Sequence, residues 1–400
     1  MARVVRIITL ALISAVLIFQ LLIKNYLRVL HSPTRGSQEV SSIWLDESGR
    51  KGEYPNTRFQ NAPEDIDVND LAGDIFDGEE KKLALSPSTR FSKDAYFMLM
   101  SSESDENDYF FRNLRILIFQ LLHKPETRDS KRAVIVIVIP KVAQWKKDRL
   151  LLDGAQIMEE EAFTPKNLSP ESERWKHTFL KLKLWKMVQF ERIVYIDSDF
   201  LLLRRIDDIW NEFPIHTHRK PKKEDVYQWV LNKTQIKIIG DLEDHYPYTF
   251  SAVQANYPHS QSPPPRPYGY MNTGLFILAP SLAHYASLMY NADNTLVPIH
   301  HDGEQGFINE YFMDWTYFPI NRLDPKWNVN WAIPSDLNNT YLLHGHYWLS
   351  TGYHGGNVTL TPNDARKEEL TILNTWPDIK LTTLWWKSYF EVLDFHDSRK

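Results

Sequence analysis

Tyr195-Ile196-Asp197-Ser198-Asp199 places two carboxylates one residue apart at the end of an apolar run that begins at Ile193. Alternate side chains of a strand share a face, so a strand here would point Asp197 and Asp199 the same way, with Cα atoms roughly 6–7 Å apart. Two converging carboxylates can hold a hard divalent cation, Mg²⁺ or Mn²⁺, and such an ion often bridges protein carboxylates to a substrate diphosphate. Nucleotide-diphosphate chemistry is therefore the first expectation. A D-x-D pair also suits a solvated turn, so the elements around it must decide.

Those elements alternate. Ala95 to Met100 has the pattern of a strand, and Tyr109 to Leu122 carries apolar residues at helical spacing. Ala133 to Ile139 is a continuous, β-branched apolar run bounded by charges and Pro140, the signature of a strand buried on both faces of a parallel sheet. The pattern predicts a helix over Val142 to Leu152, a strand over Ala155 to Met158, a helix over His177 to Phe190 and a strand over Arg192 to Ile196. Strands alternating with helices imply a doubly wound α/β sheet, in which ligands sit beyond the carboxyl ends of the strands, where Asp197 begins. Ile206-Asp207-Asp208 has the form of a helix entry capped by its carboxylates. Residues 213–267 are polar and aromatic-rich, close on Pro263-Pro264-Pro265, and show no regular period; an insert of this size commonly forms a lid or a partner-binding surface. Regularity returns with a strand over Tyr270 to Pro280, with Asn272 as a turn residue before Gly274. Helices over Ser281 to Asn291 and Glu304 to Met313 follow.

With 400 residues, 43% of them apolar, the chain can bury a sizeable core. The net charge of −5 is spread along the chain without a basic stripe, which argues against a nucleic-acid partner. Residues 7–23 form an uncharged apolar run between Arg6 and Lys24, long enough to span a bilayer and without a small-residue cleavage site after it. An uncleaved single-pass anchor is expected, after a short tail at 1–6 and before a flexible stem at 24–93 rich in Ser, Pro, Gly and acidic residues. Residues 94–400 then make up the globular domain. No cysteine is present, which excludes disulfides and thiolate metal sites. Four N-x-[ST] sequons, at Asn167, Asn232, Asn338 and Asn357, are compatible with a secretory-pathway lumen.

Six segments share one order with a known family. Phe179 to Trp185, Val194 to Asp199, Ile206 to Ile209, Met271 to Phe276, Gly303 to Asn309 and Tyr341 to His344 together resemble the glycogenin-like glycosyltransferases of family 8, over roughly residues 94–355. The resemblance implies the A-type glycosyltransferase fold, a Rossmann-like nucleotide-diphospho-sugar transferase with a mostly parallel central sheet. It also implies a bound Mn²⁺, a UDP-sugar donor, a glycan or glycoprotein acceptor, and retention of configuration. It assigns the metal to Asp197, Asp199 and His344, with His346 as a substitute one residue on, and sets Lys181 near the donor diphosphate. Gln305 and Glu304 fall near the reacting sugar carbon, Asn272 on a sugar hydroxyl, and Ser101, Ser102, Tyr109 and Ser198 along the nucleotide-sugar. An anchored member with a stem is expected to face the Golgi lumen from the membrane. The donor is then a hexose or N-acetylhexosamine nucleotide, with N-acetylglucosamine, glucose and galactose all compatible.

Read without the family, His344 is an ordinary histidine closing a strand, Lys181 one of several lysines on an amphipathic helix, and Gln305 with Glu304 a helix start. The chain departs from the family pattern where a lysine two residues beyond the metal histidine is replaced by His346, and where Glu304 stands in place of an aspartate. Two rivals remain at this level. One is an aspartyl-nucleophile phosphohydrolase, because an apolar strand ending in D-x-D also opens that motif, although Leu201 departs from it. The other is a non-catalytic membrane module that binds nucleotide-sugar or glycan.

Overall fold

The computed structural model describes residues 93–103, 108–166, 177–212, 236–255, 270–294, 303–312, 316–330, 332, 334–346 and 379–398. The expected anchor at 7–23, nearly all of the stem, and the sequons at Asn167, Asn232 and Asn357 lie outside these residues. Among the described residues no helix is long and apolar enough to cross a membrane.

The predicted alternation is present. Strand β1 (Asp94–Met100) leads into helix α1 (Tyr109–Leu122), β2 (Ala133–Val138), α2 (Gln144–Leu152) and β3 (Gln156–Glu159). A 3₁₀ helix (Thr178–Lys186) then precedes β4 (Arg192–Ile196) and β5 (Phe200–Leu202). Strands β6 (Phe250–Gln254) and β7 (Met271–Leu278) come next, then helices α3 (Leu282–Asn294) and α4 (Glu304–Tyr311). Three short strands, β8 (Asn321–Arg322), β9 (Val329–Asn330) and β10 (Leu342–His344), precede a final helix, α5 (Ile379–Asp397).

Seven strands form one sheet in the order β3-β2-β1-β4-β7-β6-β8. β7 runs antiparallel to β4 and β6, while the β1–β2, β2–β3, β1–β4 and β6–β8 pairs are parallel. The sheet is thus mostly parallel, as expected. Tyr96, Met98 and Met100 of β1 face one core with Val134, Val136, Val194 and Ile196. Ala95 and Phe97 face the other with Ile135, Ile137, Ile193 and Tyr195. This two-sided burial is why these strands are continuous apolar runs. From β1 the chain winds outward to β2 and β3, then returns to the other side of β1 as β4. A crevice therefore opens beyond the carboxyl ends of β1 and β4, the topological switch point of such a sheet. A second sheet, β5-β10-β9, has β10 antiparallel to β5 and parallel to β9.

Several expectations are corrected. β4 stops at Ile196, and Asp197-Ser198-Asp199 forms the turn into β5 instead of extending the strand. The expected helix over His177 to Phe190 is a 3₁₀ helix over Thr178–Lys186. Its threefold repeat places Phe179, Leu182 and Trp185 in one core, all in the Ile135 cluster. The same repeat stacks Lys183 and Lys186 on the buried Glu160 carboxylate at 3.1 and 2.9 Å. Asn272 lies inside β7, not in a turn before it. Asp207 and Asp208 open a short 3₁₀ helix (Asp207–Asn211) without a side-chain cap, because the cap position falls on Ile206, which has no side-chain acceptor; Asp207 pairs with Arg205 at 2.6 Å. The irregular insert contains β6, and α5 was not anticipated.

Candidate active site

A cavity of about 630 Å³ opens at the switch point. It takes in Ser101, Ser102, Lys181, Asp197, Ser198, Asp199, Asn272, Glu304, Gln305 and His344, drawn from six separate segments of the sequence. Tyr109 is not among its lining residues. The next residue, Phe110, lines the cavity and is 41% exposed, while Tyr109 packs toward the α5 cluster with the Arg112 guanidinium 5.0 Å from its ring. The first turn of α1 decides this, since a one-residue step rotates a side chain about 100° around the axis.

The two acidic residues converge by a route different from a shared strand face. The Asp197 N–H donates to the Gly274 carbonyl of β7 at 2.8 Å, and the Asp199 carbonyl accepts from the Gly345 N–H beside β10 at 3.0 Å. Each aspartate is thus fixed by a different sheet. Ligand atoms of Asp197, Asp199 and His344 all lie within 4.8 Å of one another. His344 Nε2 is 3.3 Å from Asp199 Oδ1, while His346 Nε2 faces the other oxygen, Oδ2, at 3.4 Å. Of the two histidines, His344 belongs to the converging set.

Hydrogen bonds define how His344 is presented. Asn272 Oδ1 accepts from the Gly274 N–H at 2.9 Å and from Asn328 Nδ2 at 2.8 Å. Asn328 must then turn its Oδ1 toward His344 Nδ1, 3.1 Å away, so Nδ1 carries the proton. In the neutral ring, Nε2 is left as a lone pair aimed at two carboxylates. Phe200 stacks on the imidazole with centroids 4.2 Å apart, and Gly274 leaves room for its edge, since a Cβ there would lie 2.4 Å from His344 Cε1. With the ring neutral, the Nε2 lone pair and the two carboxylates form an oxygen and nitrogen donor set that fits a divalent cation.

Burial pushes the Asp197 carboxyl up, and Asp199 and Glu304 add to that while Lys181 opposes it. Burial acts the same way on Asp199, but the His344 and His346 rings, when protonated, outweigh it by charge and N–H donation and hold that carboxyl well below the ordinary range, a role that a bound cation would take over. Lys181 is 3% exposed, with Nζ 2.7 Å from Glu304 Oε1 and 3.1 Å from Asp197 Oδ1, and it also donates to the Thr273 carbonyl at 3.2 Å. Burial disfavours its charge, yet the two carboxylates prevail, so it remains an ammonium. Glu304 accepts from Thr273 Oγ1 at 3.2 Å, so it turns inward from the start of α4. The Gln305 Oε1 accepts from the Thr273 N–H at 2.9 Å, which leaves its NH₂ end for the cavity.

Residues that the sequence did not single out complete the site. Tyr195 OH donates to Asp197 Oδ1 at 2.6 Å, and the i, i+2 spacing of these two residues was a usable signal. Asn328 had none, being a lone amide before a two-residue strand.

The glycosyl transferase family 8 model matches residues 92–344. An uncharacterized protein of Schizosaccharomyces pombe is 29% identical over 326 residues, covering 75% of this chain and 78% of that protein. Galactinol synthase 3 of Arabidopsis thaliana is 28% identical over 265 residues, covering 62% of this chain and 72% of the synthase. A solved galactosyltransferase holding donor and acceptor sugar analogs is 12% identical with a TM-score of 0.40, covering 69% of this chain and 99% of that one.

Proposed function

The chain belongs to glycosyl transferase family 8 and is a glycosyltransferase, and from that premise we propose that it moves a hexose or N-acetylhexosamine from a UDP-sugar to a glycan or glycoprotein acceptor with retention, using Mn²⁺ held by Asp197, Asp199 and His344. The observation that supports this most is the oriented His344 lone pair facing the two carboxylates inside one cavity. When bound, the cation supplies Lewis-acid stabilisation of charge on the donor diphosphate.

The chain's own residues supply position. Lys181 holds a fixed positive charge between the acidic pair and Glu304, and so sets where the diphosphate end of a donor can lie. Asn272, whose oxygen is already used twice, offers its NH₂ to a sugar hydroxyl, and Gln305 offers its NH₂ beside it. Glu304 and Gln305 are held to β7 through Thr273, so the sugar end of the site is rigid.

Retention by double displacement needs a carboxylate free to attack the sugar. Asp197 and Asp199 are committed to the cation, and Glu304 is paired with Lys181 at 2.7 Å. A front-face reaction, in which the leaving phosphate accepts the acceptor proton, needs only the positioning described. The same proposal places the chain in the Golgi membrane by an anchor at 7–23, with the catalytic domain lumenal. The exposed sequon at Asn338 fits that side, and loss of mass on endoglycosidase treatment of the cell-expressed protein checks it.

A panel of UDP-sugars with Mn²⁺ and saccharide acceptors, read by UDP release, tests the activity. The wild type should turn over one donor, and Asp199→Asn should lose at least about 100-fold in rate while remaining folded, having lost a charged ligand that preorganises the site. No release with any donor, or near-normal rates in the variant, would count against the reading.

A further inference from the structure

The side chain of Lys146, in α2, is fully buried, an unusual place for an ammonium unless it is paired. Its Nζ lies 2.7 Å from Asp108 Oδ2 and 3.4 Å from the Ser102 carbonyl, over the rings of Phe111 and Trp145 at 5.5 and 5.6 Å. Ser102 belongs to the chain leaving β1, and Asp108 to the chain entering α1. Asp108 uses its other oxygen, Oδ1, to cap α1, accepting from the Phe110 and Phe111 N–H groups at 3.0 and 3.2 Å. One ammonium therefore ties together both ends of the connection between β1 and α1. Ser101, Ser102 and Glu103 on one end, and Phe110 on the other, line the cavity.

A cap alone needs no lysine, since an aspartate at that position satisfies the first-turn N–H groups unaided. A buried ion pair is also a poor source of net stability, because desolvation offsets its attraction. What the pair does supply is a fixed spacing between the two ends of the connection. We propose that Lys146 is a positioning residue that sets the nucleotide end of the donor site, holding the Ser101–Glu103 strand exit and Phe110 at the separation that a nucleoside diphosphate requires. This rests on the UDP-sugar reading above. Lys146 touches no substrate and acts through Ser102 and Asp108. The acidic pair and His344 are held by β7 and β10 and do not depend on it.

The test is calorimetric binding to the purified protein of Mn²⁺ alone and of UDP in saturating Mn²⁺. The variants are Lys146→Met and the double change Lys146→Met with Asp108→Ser, in which serine keeps the α1 cap and no buried charge is left unpaired. The expected result is UDP binding weakened by about tenfold or more, the scale on which ångström-level misplacement acts, with Mn²⁺ binding within about twofold of wild type. A merely structural role would move both affinities together in the folded double variant, and that result overturns the proposal, as does unchanged UDP binding. A wild type that binds Mn²⁺ but not UDP would instead overturn the nucleotide-sugar reading on which the proposal stands.

Discussion

One amide chain controls which His344 nitrogen faces the acidic pair. Asn272 fixes Asn328, and Asn328 fixes the tautomer and tilt of His344. Removing a group that orients a metal-binding histidine typically costs 10- to 100-fold in affinity, so Asn328→Ala should weaken Mn²⁺ binding by about that factor with an unchanged far-ultraviolet circular dichroism spectrum. Titration calorimetry with Mn²⁺ measures it, and wild-type affinity would show that His344 needs no such support. At this scale the sequence revealed the charged participants, because D-x-D and the histidine stand at strand ends with recognisable neighbours. It concealed the amides. Asn328 meets His344 only because two short strands pair in parallel, and nothing in the local spacing announces that pairing.

The long apolar runs at β1, β2 and β4 and the amphipathic α1 were legible from period alone. The 3₁₀ helix was not, because Leu180-Lys181-Leu182-Lys183-Leu184 alternates with the period of a strand inside a segment of helical length, and its meaning appears only when threefold stacking separates Lys181 from Lys183. α1 is buried nearly all round, which signals a helix covered on two sides. The second cover is α5, whose Trp385 donates to Asn113 Oδ1 at 2.6 Å and whose His396 reaches Asp153 at 2.8 Å, beside the Arg115 of α1. Trp385 is 3% exposed, so Trp385→Ala should destabilise the fold by about 3–5 kcal/mol. Chemical denaturation is the measurement, and a loss below about 1 kcal/mol would mean that α5 is an appendage and not part of the core.

Across the whole molecule, stability should depend on two histidines far in sequence from the acidic pair. His284 is pushed well below the ordinary imidazole value near 6.5, chiefly by burial and then by the neighbouring His245, which burial also lowers. Both rings are hydrogen-bonded as neutral groups, with His245 Nε2 2.9 Å from Ser287 Oγ and His284 Nδ1 3.2 Å from Tyr311 OH. The unfolded chain therefore takes up protons first as pH falls. Stability from this pair is complete above about pH 6.5 and is lost as pH drops beneath it, at up to about 1.4 kcal/mol per pH unit for each ring. Thermal unfolding between pH 7.5 and 5.5 should show a falling midpoint, and His284→Gln should flatten the slope; an identical slope in that variant would place the titrating group elsewhere.

Asp197 hangs from the large sheet and Asp199 from the small one, one serine apart. On the proposed reading, an ion seated between them would work as a rivet through two plates. Occupancy and architecture would then be one variable, so removing such an ion would do more than silence chemistry: it would also unfasten the seam between the plate of β4 and β7 and the plate of β5, β9 and β10.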